Sequence, residues 1–187
     1  MPNSPTRQVG TDRVIEELLD AILVDIGGTI VVENPPSTPV DALVPQLRFN
    51  VAADLITLAS SVRLGAATNT AVMTESDVRQ LLALVDIDRF LEVVVTSHDV
   101  GAAKPDPSVL LVAMSKLGIV DASRILYVGD RATDREAALR AGMQFAPITD
   151  FGLLASVEQW ATETLCRART DERPMDPLSY GFFNDAR

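Results

Sequence analysis

The feature that most restricts how this chain can fold is an apolar run that leads directly into an acid and two glycines. Apolar residues 21–24 precede Asp25, and Gly27 and Gly28 follow it. The run predicts a buried strand, and the glycines leave room for other atoms to approach the acid. In open α/β sheets ligands bind at the carboxyl ends of the strands, so Asp25 would lie where a ligand binds. The same pattern also suits an ordinary turn with an acid at its start, and other residues must separate the two interpretations.

Length and composition favour one globular domain. The chain has 187 residues, of which 47% are apolar, enough for one packed core. We predict a flexible N-terminal arm at residues 1–10, a single α/β domain at 11–166 and a C-terminal tail at 167–187. The tail contains three aromatic residues near its end, and it is either loose or docks on this protein or a partner, including a second copy.

The charge and the rare residue types exclude several classes of function. A net charge of −10, from 26 acids and 16 bases, argues against nucleic acid or an anionic membrane as a partner. It suits a divalent cation, although acidity also serves solubility. One cysteine, Cys166, and one histidine, His98, argue against zinc enzymes and thiol–histidine proteases. No apolar run resembles a signal peptide or a membrane span, so a cytoplasmic location is expected.

Strand-like and helix-like segments alternate along the chain. The predicted strands are 21–26, 62–67, 92–96, 125–128 and 144–147, and the predicted helices are 11–20, 41–60 with a break near Pro45, one starting at Thr74, 107–118, 135–141 and 153–165. Residues 30–32 would form half of a small hairpin that ends at 34–37. This alternation predicts a three-layer, Rossmann-like parallel sheet with helices on both faces.

Polar side chains follow four of the predicted strands, and they would meet at one edge of the sheet. These residues are Asp25, Thr68, Asn69, Lys104, Asp130 and Asp134. An acid as nucleophile, a hydroxyl and a lysine for anionic oxygens, and two further acids for Mg²⁺ are the groups needed to transfer a phosphoryl group onto a carboxylate. Lys104 would hold Asp25 ionised and meet the charge that develops during transfer.

At these positions the chain resembles the haloacid dehalogenase superfamily of hydrolases, which are mostly phosphatases. The resemblance spans about residues 21–148. The first family motif, Asp-x-Asp-x-Thr, is similar to residues 25–29, and the second, a hydroxyl residue often followed by asparagine, is similar to 68–69. The lysine of the third motif falls at Lys104, and the fourth motif resembles 128–134.

The resemblance implies a role for each matching residue. Asp25 would be the nucleophile that forms an aspartyl-phosphate, assisted by Lys104. The phosphate-binding residues would be Thr68, Asn69 and Lys104. The Mg²⁺ ligands would be the side chains of Asp25, Asp130 and Asp134 and the main-chain carbonyl of Gly27. The ligand would be a phosphorylated small molecule or macromolecule.

Gly27 departs from the family pattern. Phosphatases of this family usually have a second aspartate there, which protonates the leaving oxygen and then activates water. General acid–base catalysis contributes roughly 10²–10⁴ in rate, so its loss predicts a weakened phosphatase, especially toward alkyl phosphates. The alternative is a catalytically inactive binding or regulatory protein on the same scaffold.

The spacing of the motifs indicates whether the chain carries a cap domain. Predicted elements fill the intervals between Asp25 and Thr68 and between Lys104 and Asp130, where capped family members insert a domain, so we predict a capless protein with an open site.

Two other protein families fit the sequence less well. A phospho-accepting receiver domain has its metal-binding acids early in the chain, before the phosphorylated aspartate, whereas here the acidic pair comes last. A nucleotide-binding fold needs a glycine pattern that is absent here. His98 is interpreted as a surface residue. Arg131 faces either substrate or solvent.

Overall fold

The computed structural model describes residues 9–33, 39 and 42–171, and these form an α/β fold around a five-stranded parallel sheet. The strands are β1 (Ala21–Val24), β2 (Arg63–Thr68), β3 (Val93–Thr96), β4 (Ile125–Gly129) and β5 (Gln144–Pro147). Their order across the sheet is β3-β2-β1-β4-β5. The predicted parallel sheet is confirmed, and the first predicted strand lies at its centre.

Helices cover both faces of this sheet, as predicted. They are α1 (Val9–Leu18), α2 (Val51–Ala59), α3 (Glu75–Ala83), α4 (Ser97–Val100), α5 (Ser108–Lys116), α6 (Ala132–Arg140) and α7 (Leu153–Asp171). One core cluster packs α1, α2, α3 and α7 against the sheet, and a second packs α5 and α6 against the other face. Along β1, Ile22 and Val24 belong to the first cluster and Ala21 and Leu23 to the second, which explains why this strand is apolar throughout. No helix in the described ranges is both long enough and apolar enough to cross a bilayer.

The register brings the ends of the central strands to one edge. Val24 is paired with Ala66 of β2 and with Val128 of β4. The next residue, Asp25, donates its main-chain N–H to the carbonyl of Val128 at 2.9 Å. Asp25 is therefore held between the carboxyl ends of β2 and β4, the position predicted for a ligand site.

The second predicted helix is wrong in its first half, because α2 begins only at Val51. Two local constraints keep the preceding residues out of a helix. Pro45 disfavours helical geometry in the residue before it, and Asn50 has a left-handed backbone with φ of 60°. Val31 instead forms an antiparallel bridge with Leu47, so the predicted hairpin half pairs with this segment. Its predicted turn at 34–37 lies outside the described residues.

Other helix ends differ from the prediction. The four-residue helix α4 was not predicted; Thr96 caps it by accepting the N–H of Asp99. Helix α6 begins at Ala132 rather than at residue 135, which places Asp134 in its first turn. Helix α7 continues to Asp171, past the predicted end at 165. Val9 and Gly10 belong to α1, and the rest of the predicted arm and residues 172–187 of the predicted tail lie outside the described residues.

Candidate active site

The predicted site residues meet at the carboxyl edge of the sheet, around a small cavity of about 90 Å³. The residues that line it are Asp25, Gly27, Glu33, Thr68, Asn69, Lys104, Arg131, Thr133 and Asp134. Asp130 lies beside the cavity, with a carboxylate oxygen within 4.8 Å of those of Asp25 and Asp134. Residues from four separate strand ends therefore contribute to one cluster, as the sequence predicted.

Lys104 forms the centre of this cluster. Its Nζ donates to Oδ1 of Asp25 at 2.7 Å and to the carbonyl of Ala67 at 3.2 Å. The main chain of Lys104 is fixed by Asn69, whose Oδ1 accepts the Lys104 N–H at 2.9 Å and whose Nδ2 donates to the Lys104 carbonyl at 3.0 Å. Asn69 thus positions the lysine, and one of its two amide N–H groups remains for a ligand.

Tyr127 is a member of the cluster that sequence reasoning missed. Its hydroxyl accepts from Lys104 Nζ at 2.6 Å and donates to the Ala67 carbonyl at 2.7 Å. Burial, together with the negative charges of Asp25 and Asp134, raises the pKa of Tyr127 well above its usual value. The tyrosine is therefore a neutral group that orients the ammonium. A polar side chain within the apolar run of β4 was the available signal.

The three acids leave a buried oxygen without a hydrogen bond. Oδ2 of Asp134 accepts the main-chain N–H of Arg131 at 2.9 Å. Oδ1 of Asp134 is buried and lies 2.7 Å from Lys104 Nζ, but it accepts no hydrogen bond from the described residues. An ammonium has three N–H donors, and those of Lys104 are used by Asp25, Ala67 and Tyr127. Oδ1 of Asp134 therefore remains available as a ligand for a second cation.

The charge balance of the cluster also favours a divalent cation. Burial raises the pKa of Asp25; attraction to Lys104 opposes this rise, and repulsion from Asp134 adds to it. Oxygens of three carboxylates lie within 4.8 Å of one another; Asp25 and Asp134 are buried and contact the Lys104 ammonium, whereas Asp130 is exposed. The two buried negative charges against one ammonium are costly. Carboxylate oxygens are the ligands that Mg²⁺ prefers, so these residues fit that ion.

The two glycines after Asp25 differ in what they require. Gly28 has a positive φ of 81°, and a Cβ built there would lie 2.4 Å from Oδ2 of Asp130. A side chain at this position would displace Asp130. Gly27 has no such constraint, because a Cβ there would meet only Glu33, with Oε1 at 3.6 Å. The turn itself is held by Arg48, whose guanidinium donates to the carbonyl of Gly28.

Glu33 and Arg131 form an ion pair at the cavity, and sequence reasoning did not identify it. Each side chain is about half exposed, 50% for Glu33 and 55% for Arg131, and both residues line the cavity. The structure thus places Arg131 at the site, a question that the sequence left open. His98, in contrast, is exposed, bonds through Nδ1 to the carbonyl of Ala71 at 3.2 Å, and does not line this cavity.

Comparison with protein families gives one match that covers more than half of the chain. Residues 50–148 match the family described as haloacid dehalogenase-like hydrolase. The matched segment contains Thr68, Lys104, Asp130 and Asp134. Asp25 lies before it, so its assignment depends on the motif and on its contact with Lys104.

Two characterised relatives are phosphatases. The chain is 38% identical over 84 residues to an N-acetylmuramic acid 6-phosphate phosphatase of Pseudomonas aeruginosa, an alignment that covers 45% of this chain and 35% of the relative. It is 36% identical over 91 residues to a phosphoglycolate phosphatase of Salmonella typhimurium, covering 49% of this chain and 34% of the relative. The aligned part of this chain thus spans about a third of the length of each relative.

Solved structures support the same fold. A protein of Listeria monocytogenes serotype 4b superposes with a TM-score of 0.65 at 18% identity, covering 81% of this chain and 99% of the other. A hydrolase of the same superfamily from Ehrlichia chaffeensis superposes with a TM-score of 0.60 at 14% identity, covering 79% and 98%. At these identities the likeness concerns the fold alone.

Proposed function

Because this chain belongs to the haloacid dehalogenase-like hydrolases, we propose that it is a Mg²⁺-dependent phosphatase that transfers a phosphoryl group to Asp25 and then to water. The observation that carries this proposal is the ion pair between Asp25 and Lys104, with Nζ and Oδ1 2.7 Å apart, inside a trio of acids. The relatives that are phosphatases support the reaction class.

The first half of the reaction forms a bond between a carboxylate oxygen of Asp25 and phosphorus while the bond from phosphorus to the leaving oxygen breaks. Lys104 holds Asp25 in a fixed orientation, since its Nζ is itself held by Tyr127 and the Ala67 carbonyl. Thr68 ends β2 and lines the cavity, so its hydroxyl can donate to a phosphate oxygen. These fixed groups supply positioning and charge stabilisation, which dominate phosphoryl transfer.

Asp130, Asp134 and the carbonyl of Gly27 would hold Mg²⁺ together with Asp25. The bound ion would reduce the repulsion between the attacking carboxylate and the phosphate and stabilise the charge that develops on its oxygens. Oδ1 of Asp134, which lies 2.7 Å from Lys104 Nζ but accepts no hydrogen bond from the described residues, supports this assignment.

The competing function is a catalytically inactive protein that binds a phosphorylated ligand. Gly27 favours it, because the carboxylate that usually protonates the leaving group in this family is absent at that position. If the protein is a phosphatase, the absence of this acid favours a phosphate monoester or mixed anhydride whose leaving group needs little protonation, such as an aryl or an acyl phosphate.

A screen of aryl and alkyl phosphates, with Mg²⁺ and with a chelator, tests the proposal. We expect phosphate release with Mg²⁺ that is faster from aryl than from alkyl esters, and its loss in Asp25→Asn. Asp86→Asn is the matched control, because Asp86 is exposed and pairs only with Arg89 on the surface among the described residues. A wild-type protein that binds Mg²⁺ and phosphate but is inert toward every ester would support the binding function instead.

A further inference from the structure

Glu33 places a carboxylate next to the position where the usual second acid is missing. A Cβ built on Gly27 lies 3.6 Å from Oε1 and 3.8 Å from Cγ of Glu33. The oxygens of an aspartate at position 27 would be only two bonds beyond that Cβ, so Glu33 reaches the same space from a different part of the chain. We propose that Glu33 is the general base that activates water against the phosphorylated Asp25. This inference rests on the proposed phosphatase function.

The location of Glu33 suits a water-activating group. Both Glu33 and Asp25 line the 90 Å³ cavity, but from different depths. The Asp25 side chain is 8% exposed, whereas that of Glu33 is 50% exposed. Glu33 therefore lies on the more exposed side of the cavity, where a water molecule that approaches the phosphoryl group can contact its carboxylate.

Arg131 explains why Glu33 would act as a base rather than as the acid for the leaving group. Its guanidinium already donates a hydrogen bond to Oε1 of Glu33. A carboxylate oxygen that accepts a hydrogen bond from a guanidinium cannot donate one at the same time, so this pair suits a group that accepts a proton from water. The same contact orients Glu33, and Arg131 is itself anchored because its main-chain N–H bonds to Asp134.

In the proposed step, Glu33 takes one proton from water while the water oxygen forms a bond to phosphorus. The bond between phosphorus and the Asp25 oxygen breaks, and its electron pair returns to the Asp25 carboxylate. Inorganic phosphate leaves, and Glu33 loses its proton to solvent.

Pre-steady-state kinetics with an activated aryl phosphate separate the hydrolysis of the aspartyl-phosphate from its formation. The phenolate leaving group needs no acid, so Glu33→Gln should still release one equivalent of phenolate per enzyme in a burst. Its steady-state rate should then fall roughly 10²-fold or more, the range for loss of a general base. Glu163→Gln is the control, because Glu163 is also half exposed and paired with an arginine, Arg167, but on α7 away from the cavity.

A second variant tests whether the carboxylate of Glu33 is the group that is needed. Gly27→Asp combined with Glu33→Gln restores a carboxylate to the same space, and it should recover steady-state turnover. If Glu33→Gln turns over at the wild-type rate, or loses the burst together with turnover, the role of Glu33 as a base is overturned while the phosphatase function stands. If the wild type releases no phenolate at all, the phosphatase function fails, and the inference fails with it.

Discussion

Nζ of Lys104 and Oδ1 of Asp25 lie 2.7 Å apart in an ion pair whose side chains are only 2% and 8% exposed. The same ammonium is 2.7 Å from Oδ1 of Asp134. One ammonium therefore contacts two buried acids, and the exposed Asp130 lies close to both of them. Removing the cation and removing one of the acids should have opposite effects on stability.

We predict that Lys104→Met strongly destabilises the metal-free protein. Breaking a buried pair leaves uncompensated charge, which costs about 3–5 kcal/mol in the free energy of unfolding. Lys116→Met is the matched control, since Lys116 pairs with Glu75 at the same distance of 2.7 Å but is 46% exposed. That variant should change stability by about 1 kcal/mol or less. Urea denaturation in chelator measures both, and equal losses would contradict the central role of Lys104.

Asp25→Asn should stabilise the metal-free protein, and the gain should grow with pH. Burial raises the pKa of Asp25 in the folded state above its unfolded value. The folded protein therefore holds this proton more tightly, and the stability associated with it is lost as pH rises through the folded pKa. At a pH below the unfolded pKa the two proteins should be alike. Denaturation of both proteins across acidic to neutral pH tests this; an Asn variant that loses its advantage toward neutral pH would contradict it.

Alanine variants of the adjacent residues Gly27 and Gly28 form a matched pair that tests the metal site. Gly28→Ala adds a Cβ that would lie 2.4 Å from Asp130 Oδ2, at a backbone angle that disfavours side chains. Gly27→Ala adds a Cβ that would lie 3.6 Å from Oε1 of Glu33, an ordinary van der Waals contact. We expect Mg²⁺ to raise the melting temperature of the wild type and of Gly27→Ala, and to lose most of this effect in Gly28→Ala. An equal Mg²⁺ response in both variants would contradict the placement of Asp130 in the metal site.

The fold and most of the site follow from local sequence signals. Asp25 and Asp130 come directly after strands, Lys104 follows the turn at Gly101, and Asp134 lies in the first turn of the helix after β4. Such positions converge at one edge of a parallel sheet. Glu33 was missed because its partner Arg131 is distant in sequence and nothing local marks their contact. Tyr127 was missed because it lies within an apolar strand. The start of α2 was misplaced because Asn50 adopts a left-handed backbone with φ of 60°, a conformation that asparagine tolerates but that an apolar pattern does not mark.

Gly27→Asp should raise activity mainly toward alkyl phosphates. Gly27 is free of positive φ and of close contacts, so the variant should fold. Its neighbour Glu33 would favour the protonated form of the new acid, as nearby like charges do. A gain of about 10² corresponds to about 2.7 kcal/mol of barrier. Rates with alkyl and aryl phosphates measure the effect, with Gly27→Ala as control; an equal gain on both ester types would contradict a leaving-group acid.

The measurement that tests the account most directly is the detection of phosphate on Asp25. The protein is mixed with an aryl phosphate and Mg²⁺, quenched in acid and digested. The mass of the peptide that contains Asp25 is then measured by mass spectrometry. We predict that it gains the mass of one phosphoryl group, that Glu33→Gln accumulates more of this species, and that Asp25→Asn shows none. Ester hydrolysis by the wild type with no modification of this peptide in either the wild type or Glu33→Gln, or the same modification in Asp25→Asn, would contradict Asp25 as the nucleophile.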